Sequence, residues 1–156
     1  MQASERLGPG DPRLRQVLRL IQQSFAYMDG RIDPPSSMHR LTLAALSQQA
    51  ETAEVWALGD PVVACVVLTA QPDCLYLGKL AVDGQLRRAG LARRMVDLAA
   101  ARAAALGLPA LELQVRIELV ENQAAFARLG FVETGRSAHP GYDRPTSLTL
   151  RRVLEA

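Results

Sequence analysis

One segment constrains the fold more than any other: an apolar strand pattern that passes through a glycine-containing loop into a long amphipathic helix. Residues 74–82 (CLYLGKLAV) have the length and apolar content of a strand, and residues 90–107 repeat apolar side chains at helical spacing. A strand that enters a helix in this way brings unpaired backbone N–H groups and the positive end of the helix dipole to one point. The segment therefore predicts an anion site at the start of the helix.

Two further helices are predicted before this segment. Asp11-Pro12 is typical of an N-cap residue followed by proline at the first helical position. Apolar residues at helical spacing continue from there to about Ala26. Ser36 or Ser37 is expected to cap a second helix that extends to about Ala50. Both helices are expected to pack against a sheet.

The remaining pattern indicates strands and one more short helix. The expected elements are strands at 55–58, 62–70 and 74–82, a helix at 90–107, a strand at 110–115, a helix at 119–129 closed by Gly130, and strands at 131–135 and 146–153. This order predicts an α+β fold, with a mixed, mostly antiparallel central sheet of six to seven strands flanked by about four helices. Residues 1–156 are expected to form a single domain.

Composition narrows the function classes. With 49% hydrophobic and 22% charged residues and a net charge of +2, the chain is globular and does not favour nucleic acid as a partner. Cys65 and Cys74 are the only cysteines, and His39 and His139 the only histidines, at spacings that predict no metal site. Without a signal-peptide pattern or an apolar run of about 20 residues, the chain is expected to be cytoplasmic, with no membrane partner.

Arginine surrounds the predicted anion site. Lys79 is the only lysine among the 18 Lys and Arg residues. The arginines nearest to Gly90 are Arg87, Arg88, Arg93 and Arg94. Guanidinium groups match phosphate oxygens, but neither GxxxxGK[ST] nor GxGxxG is present. The site is therefore predicted to bind another phosphate ligand, and a solvated arginine-rich loop is the alternative.

These residues resemble a family motif. The strand end LAV (80–82) followed by RRAGLA (87–92) resembles the acyl-CoA pyrophosphate motif [QR]xxGx[GA] of the GNAT N-acyltransferase superfamily. The second half of the chain agrees with this resemblance, because FARLGF (126–131) is similar to the family's C-terminal motif Yxx[LK]GF. The resemblance extends from the first helix to the last strand. It implies a GNAT-like fold and acetyl-CoA as co-substrate, without a metal.

The resemblance also implies how acetyl-CoA is held. The strands at 75–82 and 110–115 would splay apart at one end, and the pantetheine arm would pair with the free strand edge. Backbone groups of Leu80 and Val82 would hold the pantetheine and acyl carbonyl, and an N–H near Val82 would stabilise the oxyanion. The implied CoA-binding residues are Leu80, Ala81, Val82, Arg87, Arg88, Ala89, Gly90, Leu91, Ala92, Arg93, Asn122 and Phe126.

Two positions depart from the family pattern. The tyrosine that protonates the leaving thiolate in relatives falls at Phe126, which has no hydroxyl. A thiolate with a pKa near ~8.5 is a tolerable leaving group, so this loss weakens one role without abolishing catalysis. The usual asparagine falls at Leu119, and Asn122 is either its replacement or only a polar residue of the first helical turn.

The loop between the last two strands supplies candidate catalytic residues. Tyr142 is a candidate acid in place of the missing tyrosine, and His139 is a second candidate catalytic group. In the alternative, this loop is only a hairpin connection in which Tyr142 packs and His139 is exposed. The residues proposed to line the acceptor pocket are Tyr27, Tyr76 and Arg116, with core packing as the alternative for Tyr76.

The predicted function is transfer of the acetyl group of acetyl-CoA to a primary amine of a small molecule or peptide, by direct attack on the thioester. The alternative is a non-catalytic acyl-CoA-binding regulatory domain, which Phe126 motivates. Nucleic-acid binding is disfavoured because one arginine-rich loop supplies neither stacking residues nor a broad basic face. The expected partners are the acceptor amine and, since dimers are common among relatives, a second copy of the chain.

Overall fold

Strands and helices follow each other along the computed structural model, which describes residues 3–86 and 90–155. In chain order the elements are β1 (Ser4–Leu7), α1 (Leu14–Ala26), a 3₁₀ helix (Ser37–Arg40), α2 (Leu43–Thr52), β2 (Glu54–Leu58), β3 (Ala64–Ala70), β4 (Leu75–Val82), a second 3₁₀ helix (Gly84–Leu86), α3 (Leu91–Ala105), β5 (Ala110–Arg116), α4 (Val120–Arg128), β6 (Val132–Ser137) and β7 (Ser147–Val153). The described part confirms the predicted α+β class. None of its helices is both long enough and apolar enough to cross a membrane.

The seven strands form one mixed sheet in the order β1-β2-β3-β4-β5-β7-β6. Every neighbouring pair is antiparallel except β4 and β5, which are parallel. That parallel pair has only two registered residue pairs, Leu75 with Leu111 and Tyr76 with Glu112. Since β5 and β7 pair along the whole of β5, β4 is the strand that diverges. The splay that the family resemblance implied is therefore present.

The first strand was not predicted from the sequence. β1 pairs with β2 at one edge of the sheet, and only Leu7 of its four residues is buried. A short edge strand with one buried residue shows no period-two alternation of apolar and polar side chains.

The predicted second helix is wrong as a single element. Ser36 Oγ accepts a hydrogen bond from the Met38 N–H at 3.1 Å, but it caps only the first 3₁₀ helix. Leu41 is extended, and α2 begins two residues later with Thr42 as its N-cap. Thr42 Oγ1 accepts a hydrogen bond from the Ala45 N–H at 3.1 Å. A second capping hydroxyl, six residues after the first, therefore restarts the helix.

The predicted start of the first helix is also wrong by a few residues. Asp11 Oδ1 accepts a hydrogen bond from the Arg13 N–H at 2.9 Å, and the Asp11 carbonyl accepts from the Leu14 N–H at 3.0 Å. These bonds form a turn that contains Pro12, and α1 begins after it with Arg13 in the N-cap position.

Two apolar cores hold helices on opposite faces of the sheet. On one face, α1 and α2 bury Leu14, Ile21 and Leu46 against β2 and β3. On the other face, α3 packs against β3, β4 and β5. β3 serves both cores, because Val66 points into the α3 core and Val67 into the α1–α2 core.

The sheet face on the α1–α2 side is open at β5. Leu111 and Leu113 are buried in the α3 core, whereas Glu112, Gln114 and Arg116 alternate with them and are half-buried or exposed. Side chains two residues apart share one face of a strand. An accessible polar face therefore lies beside the point where β4 and β5 diverge.

We expect Thr42→Ala to lower the free energy of unfolding by about 1 kcal/mol, because it removes the hydroxyl that caps α2. Ser37→Ala is the matched control, since Ser36 caps the preceding 3₁₀ helix, and its effect should stay within about 0.5 kcal/mol. Urea unfolding of the two variants measures both effects. A larger loss for Ser37→Ala would contradict this placement of the caps.

Candidate active site

A β-bulge lies at the centre of the candidate site. Cys65 pairs with Ala81 and Val67 with Gly78, so two residues of β4, Lys79 and Leu80, face the single residue between them on β3. Lys79 has a φ of 53°, the only positive φ of a non-glycine residue in the described part of the chain. A bulge bends its strand and redirects the side chains next to it. Here it begins just past the last residue pair that β4 shares with β5.

The end of β4 is fixed from the α1 side. The Val82 carbonyl accepts a hydrogen bond from Ser24 Oγ of α1 at 3.1 Å, and the Asp83 N–H donates to the Val63 carbonyl at 2.8 Å. Leu80 packs against the α3 core and Ala81 is buried in the α1–α2 core. The predicted strand end at 80–82 therefore lies between the two cores. The Asp83 N–H, which follows Val82, is therefore occupied and is not available as the oxyanion donor predicted near Val82.

The start of α3 has the backbone geometry that the sequence predicted. Gly90 is the N-cap residue with a φ of 76°, and its carbonyl accepts from the Arg94 N–H at 3.1 Å. The N–H groups of Leu91, Ala92 and Arg93 precede the first intrahelical bond and have no acceptor within the helix. No acidic residue lies in this first turn, and apart from the chain neighbours of Gly90 no atom of the described residues lies within 4 Å of a Cβ built on it. The turn can therefore accept an anion.

Part of the predicted pyrophosphate loop is outside the described residues. Arg87, Arg88 and Ala89 belong to that part, so their binding roles stay predictions. Arg93, in the first turn of α3, is exposed.

Phe126 takes a structural position in α4. Its ring packs edge-on against Phe131, with centroids 5.8 Å apart and an interplanar angle of 76°. Both rings contact the α3 core. One turn earlier, Asn122 Nδ2 donates to Tyr27 Oη at 3.4 Å. The structure thus joins two residues for which the sequence predicted different roles, CoA binding and acceptor binding.

Tyr76 lies across the divergence of β4 and β5. A Cβ built on Gly78 would lie 3.6 Å from Tyr76 Cε1, so the ring extends along β4 over this glycine. The Tyr76 hydroxyl accepts a hydrogen bond from the Gln114 N–H of β5, which lowers its pKa, but burial outweighs this bond and raises the pKa. Tyr76 therefore bridges the two strands where their own pairing stops.

Asp33 joins three segments of the chain through its side chain and its backbone N–H. Tyr142 Oη donates to Asp33 Oδ1 at 2.6 Å, and Arg144 Nη2 donates to Asp33 Oδ2 at 3.0 Å. The Asp33 N–H donates to Glu118 Oε2 at 3.1 Å. The loop after α1, the β5–α4 connection and the β6–β7 loop are thereby tied together. The hydrogen bond to Asp33 also raises the pKa of Tyr142 above its usual value.

Arg116 lies under the same cluster. Its Nη2 donates to the carbonyls of Pro34 and Pro35. Burial lowers the pKa of Arg116, while Glu118, Tyr142 and Asp33 act in the opposite direction. Arg116 Nη1 and Glu118 Oε1 are buried, and neither has a hydrogen-bond partner among the described residues.

His139 is half-buried beside this cluster, so it is not the exposed residue of the hairpin alternative. Its backbone N–H donates to Thr146 Oγ1 at 3.0 Å, and its Nδ1 is within hydrogen-bond distance of the same hydroxyl. Burial, followed by the charge of Arg116, lowers the pKa of His139. A lowered pKa increases the neutral imidazole fraction near neutral pH, which is the form that accepts a proton.

The structure therefore brings some of the predicted site residues together and leaves others apart. Tyr142, His139 and Arg116 meet in one cluster, and Tyr76 marks the strand gap. Asp33, Glu118 and Gln114 were not predicted, although the alternation of residues 110–115 places Gln114 on the polar face of its strand. Within residues 3–86 and 90–155, no three His, Cys, Asp or Glu side chains are placed to hold a metal ion.

Comparisons with known proteins agree with this geometry. Residues 14–131 match the profile described as the Acetyltransferase (GNAT) family. Ard1 from Thermoplasma volcanium superposes with a TM-score of 0.77 at 18% identity, and 99% of each chain is covered. The ribosomal-protein-S18-alanine N-acetyltransferase from Escherichia coli gives 0.73 at 22% identity, covering 100% of this chain and 96% of that one.

A third solved structure, a GNAT family acetyltransferase from Elizabethkingia anophelis with acetyl-CoA bound, gives a TM-score of 0.70 at 12% identity, with 98% of each chain covered. At these identities the likeness concerns the fold. No curated protein matches the sequence.

We expect Asp33→Asn to lower the pKa of Tyr142, because the carboxylate that accepts its hydrogen bond holds the phenol in the neutral form. The raised pKa means that this bond stabilises the fold below the ordinary tyrosine pKa and is lost as the pH rises through the raised one. Phenolate absorbance, taken as the difference from Tyr142→Phe, isolates this tyrosine from the other two. An unchanged midpoint in Asp33→Asn would contradict the contact.

Proposed function

The chain belongs to the acetyltransferase (GNAT) family, and from that premise we propose that it transfers the acetyl group of acetyl-CoA to a primary amine of a small molecule or peptide. The observation that carries the proposal is the parallel pair β4–β5, which ends after two residue pairs beside a bulge. An unpaired strand edge inside a sheet accepts an extended ligand arm as it would accept another strand.

Two features would hold acetyl-CoA in this position. The free N–H groups at the start of α3 suit its pyrophosphate, with the helix dipole adding a favourable field. The unpaired edge of β4 beyond Tyr76 suits its pantetheine arm. Exposed Arg93 lies next to this anion site and adds a cation that matches phosphate oxygens.

The proposed reaction is a direct acyl transfer. The neutral amine nitrogen of the acceptor attacks the thioester carbon, the C–S bond breaks, and the thiolate leaves with the electron pair. The nitrogen loses a proton to a base or to water, and the thiolate gains one. Backbone N–H groups of the bulged segment would stabilise the oxyanion of the tetrahedral intermediate.

We propose His139 and Tyr142 as the proton-handling groups. The lowered pKa of His139 favours its neutral form, which a proton acceptor needs. The hydrogen bond to Asp33 keeps Tyr142 protonated, which a proton donor needs at the start of the reaction. Both residues lie in the β6–β7 loop, and Tyr142 ties this loop to Asp33 of the loop after α1.

A second candidate function is binding of acyl-CoA without catalysis. The observation that favours it is Phe126, whose ring is committed to packing against Phe131 and offers no proton to a leaving thiolate. Such a domain would keep the α3 anion site and the β4 edge but would not turn over.

Thiol release separates these two functions. We expect the protein to release free CoA thiol from acetyl-CoA when primary amines or peptides with a free N-terminus are added. The rate of release should be well above the rate without an acceptor. The N,N-dimethylated counterparts of these amines are the matched negative control, since a tertiary amine cannot yield a stable amide. Calorimetric binding of acetyl-CoA with no thiol release for any acceptor would support the non-catalytic alternative instead.

We expect Gly90→Asp to weaken acetyl-CoA binding at least about tenfold, a loss of about 1.4 kcal/mol, because it adds a carboxylate at the proposed pyrophosphate site. Gly90→Asn is the matched control: it has nearly the same shape and tolerates the same left-handed φ, but adds no charge. Its affinity should stay within a few-fold of the wild type. Equal affinities for the two variants in calorimetry would place the pyrophosphate elsewhere.

A further inference from the structure

A cavity lies next to the strand gap, on the α1–α2 side of the sheet. It is wide open to solvent, and its volume is about 470 Å³. Residues of the first 3₁₀ helix and of α2 form most of its lining, and Lys79 at the β4 bulge is the only sheet residue that contributes. Because Lys79 lies in the part of β4 that is not paired with β5, the cavity adjoins the proposed acyl-transfer point.

The cavity carries positive charge without a counter-charge. Arg40 and Lys79 are the only charged residues among the nine that line it, and both are cations. Lys79 is half-buried, and burial alone lowers its pKa, with no carboxylate opposing the shift. An anionic ligand in this cavity would offset the cost of partly burying the Lys79 ammonium.

The backbone at Lys79 is a further observation in favour of a ligand at this cavity. Lys79 holds the left-handed backbone conformation described above, and residues in such conformations cluster at ligand sites.

We propose that this cavity binds a carboxylate of the acceptor, so that the acceptor is an amine that also carries an acidic group. The inference rests on the proposed acetyl transfer. Lys79 and Arg40 would pair with the carboxylate, while the amine of the same molecule reaches the strand gap. One lysine and one arginine would attract a carboxylate or a phosphate, and the experiment below has an arm for each.

The test compares acceptors that differ only in charge. Glycine, β-alanine, 4-aminobutanoate and 6-aminohexanoate are each compared with their carboxamides, by thiol release from acetyl-CoA. Because the four acids differ in chain length, the comparison identifies the amine-to-carboxylate distance that the site accepts best. For the best length we expect the KM of the acid to be at least about tenfold below that of its amide. Aminoethyl phosphate is included as the phosphate arm.

Charge reversal locates the preference. Lys79→Glu should invert the ratio of the two KM values in favour of the amide, and Arg40→Glu should shift it in the same direction. The ratio cancels any general loss of activity, and Arg40→Glu decides the matter if Lys79→Glu does not fold. Arg15→Glu, at an exposed arginine of α1 outside the cavity, is the charge-matched control and should leave the ratio unchanged.

Each other outcome has a distinct meaning. Equal KM values for every acid and amide pair, or a preference that neither charge reversal alters, would overturn the assignment while leaving acetyl transfer intact. A preference for aminoethyl phosphate that follows the same charge reversals would overturn the carboxylate in favour of a phosphate. Absence of thiol release with every amine would overturn the proposed function, and this inference with it.

Discussion

The early end of the parallel β4–β5 pairing is the constraint on which the rest of the site depends. Antiparallel pairing holds β5 to β7 along its full length, while the bulge at Lys79 and Leu80 turns β4 away. The sheet therefore contains an unpaired edge in its interior rather than at its border. Buried backbone N–H and C=O groups need partners, so this gap is a place where a ligand or solvent must complete the hydrogen bonding.

The two cores determine what surrounds this gap. The α3 core places the start of that helix, with its free N–H groups, near the end of β4. The α1–α2 core ends before β5, which leaves the polar side chains of Glu112, Gln114 and Arg116 accessible on that face. The start of α3 and an open polar face thus lie beside one strand gap. In the proposed reaction, acetyl-CoA and the acceptor would approach this gap from different sides.

How much could be predicted from the sequence depended on how local the deciding interactions were. α3, the β2–β3 hairpin and the Gly90 turn were predicted, because periodicity and a single glycine specify them within a few residues. The second helix was predicted wrongly as one element, because Ser36 and Thr42 each cap a separate helix and Leu41 between them is extended. The Asp33–Tyr142 contact joins residues 109 positions apart, and no local pattern in the chain encodes it.

By itself, the sequence predicted the fold class, the turn at the start of the long helix and the family, which are confirmed, whereas the anion site at that turn stays a prediction. These features depend on residue spacing, backbone conformation and helix dipoles, which act over a few residues. Only the tertiary structure decided that Phe126 packs against Phe131, that Asp33 holds Tyr142, and that the only lysine lines a cavity without an acid. Side chains from distant segments meet only in the packed structure, so no local sequence pattern specifies these contacts.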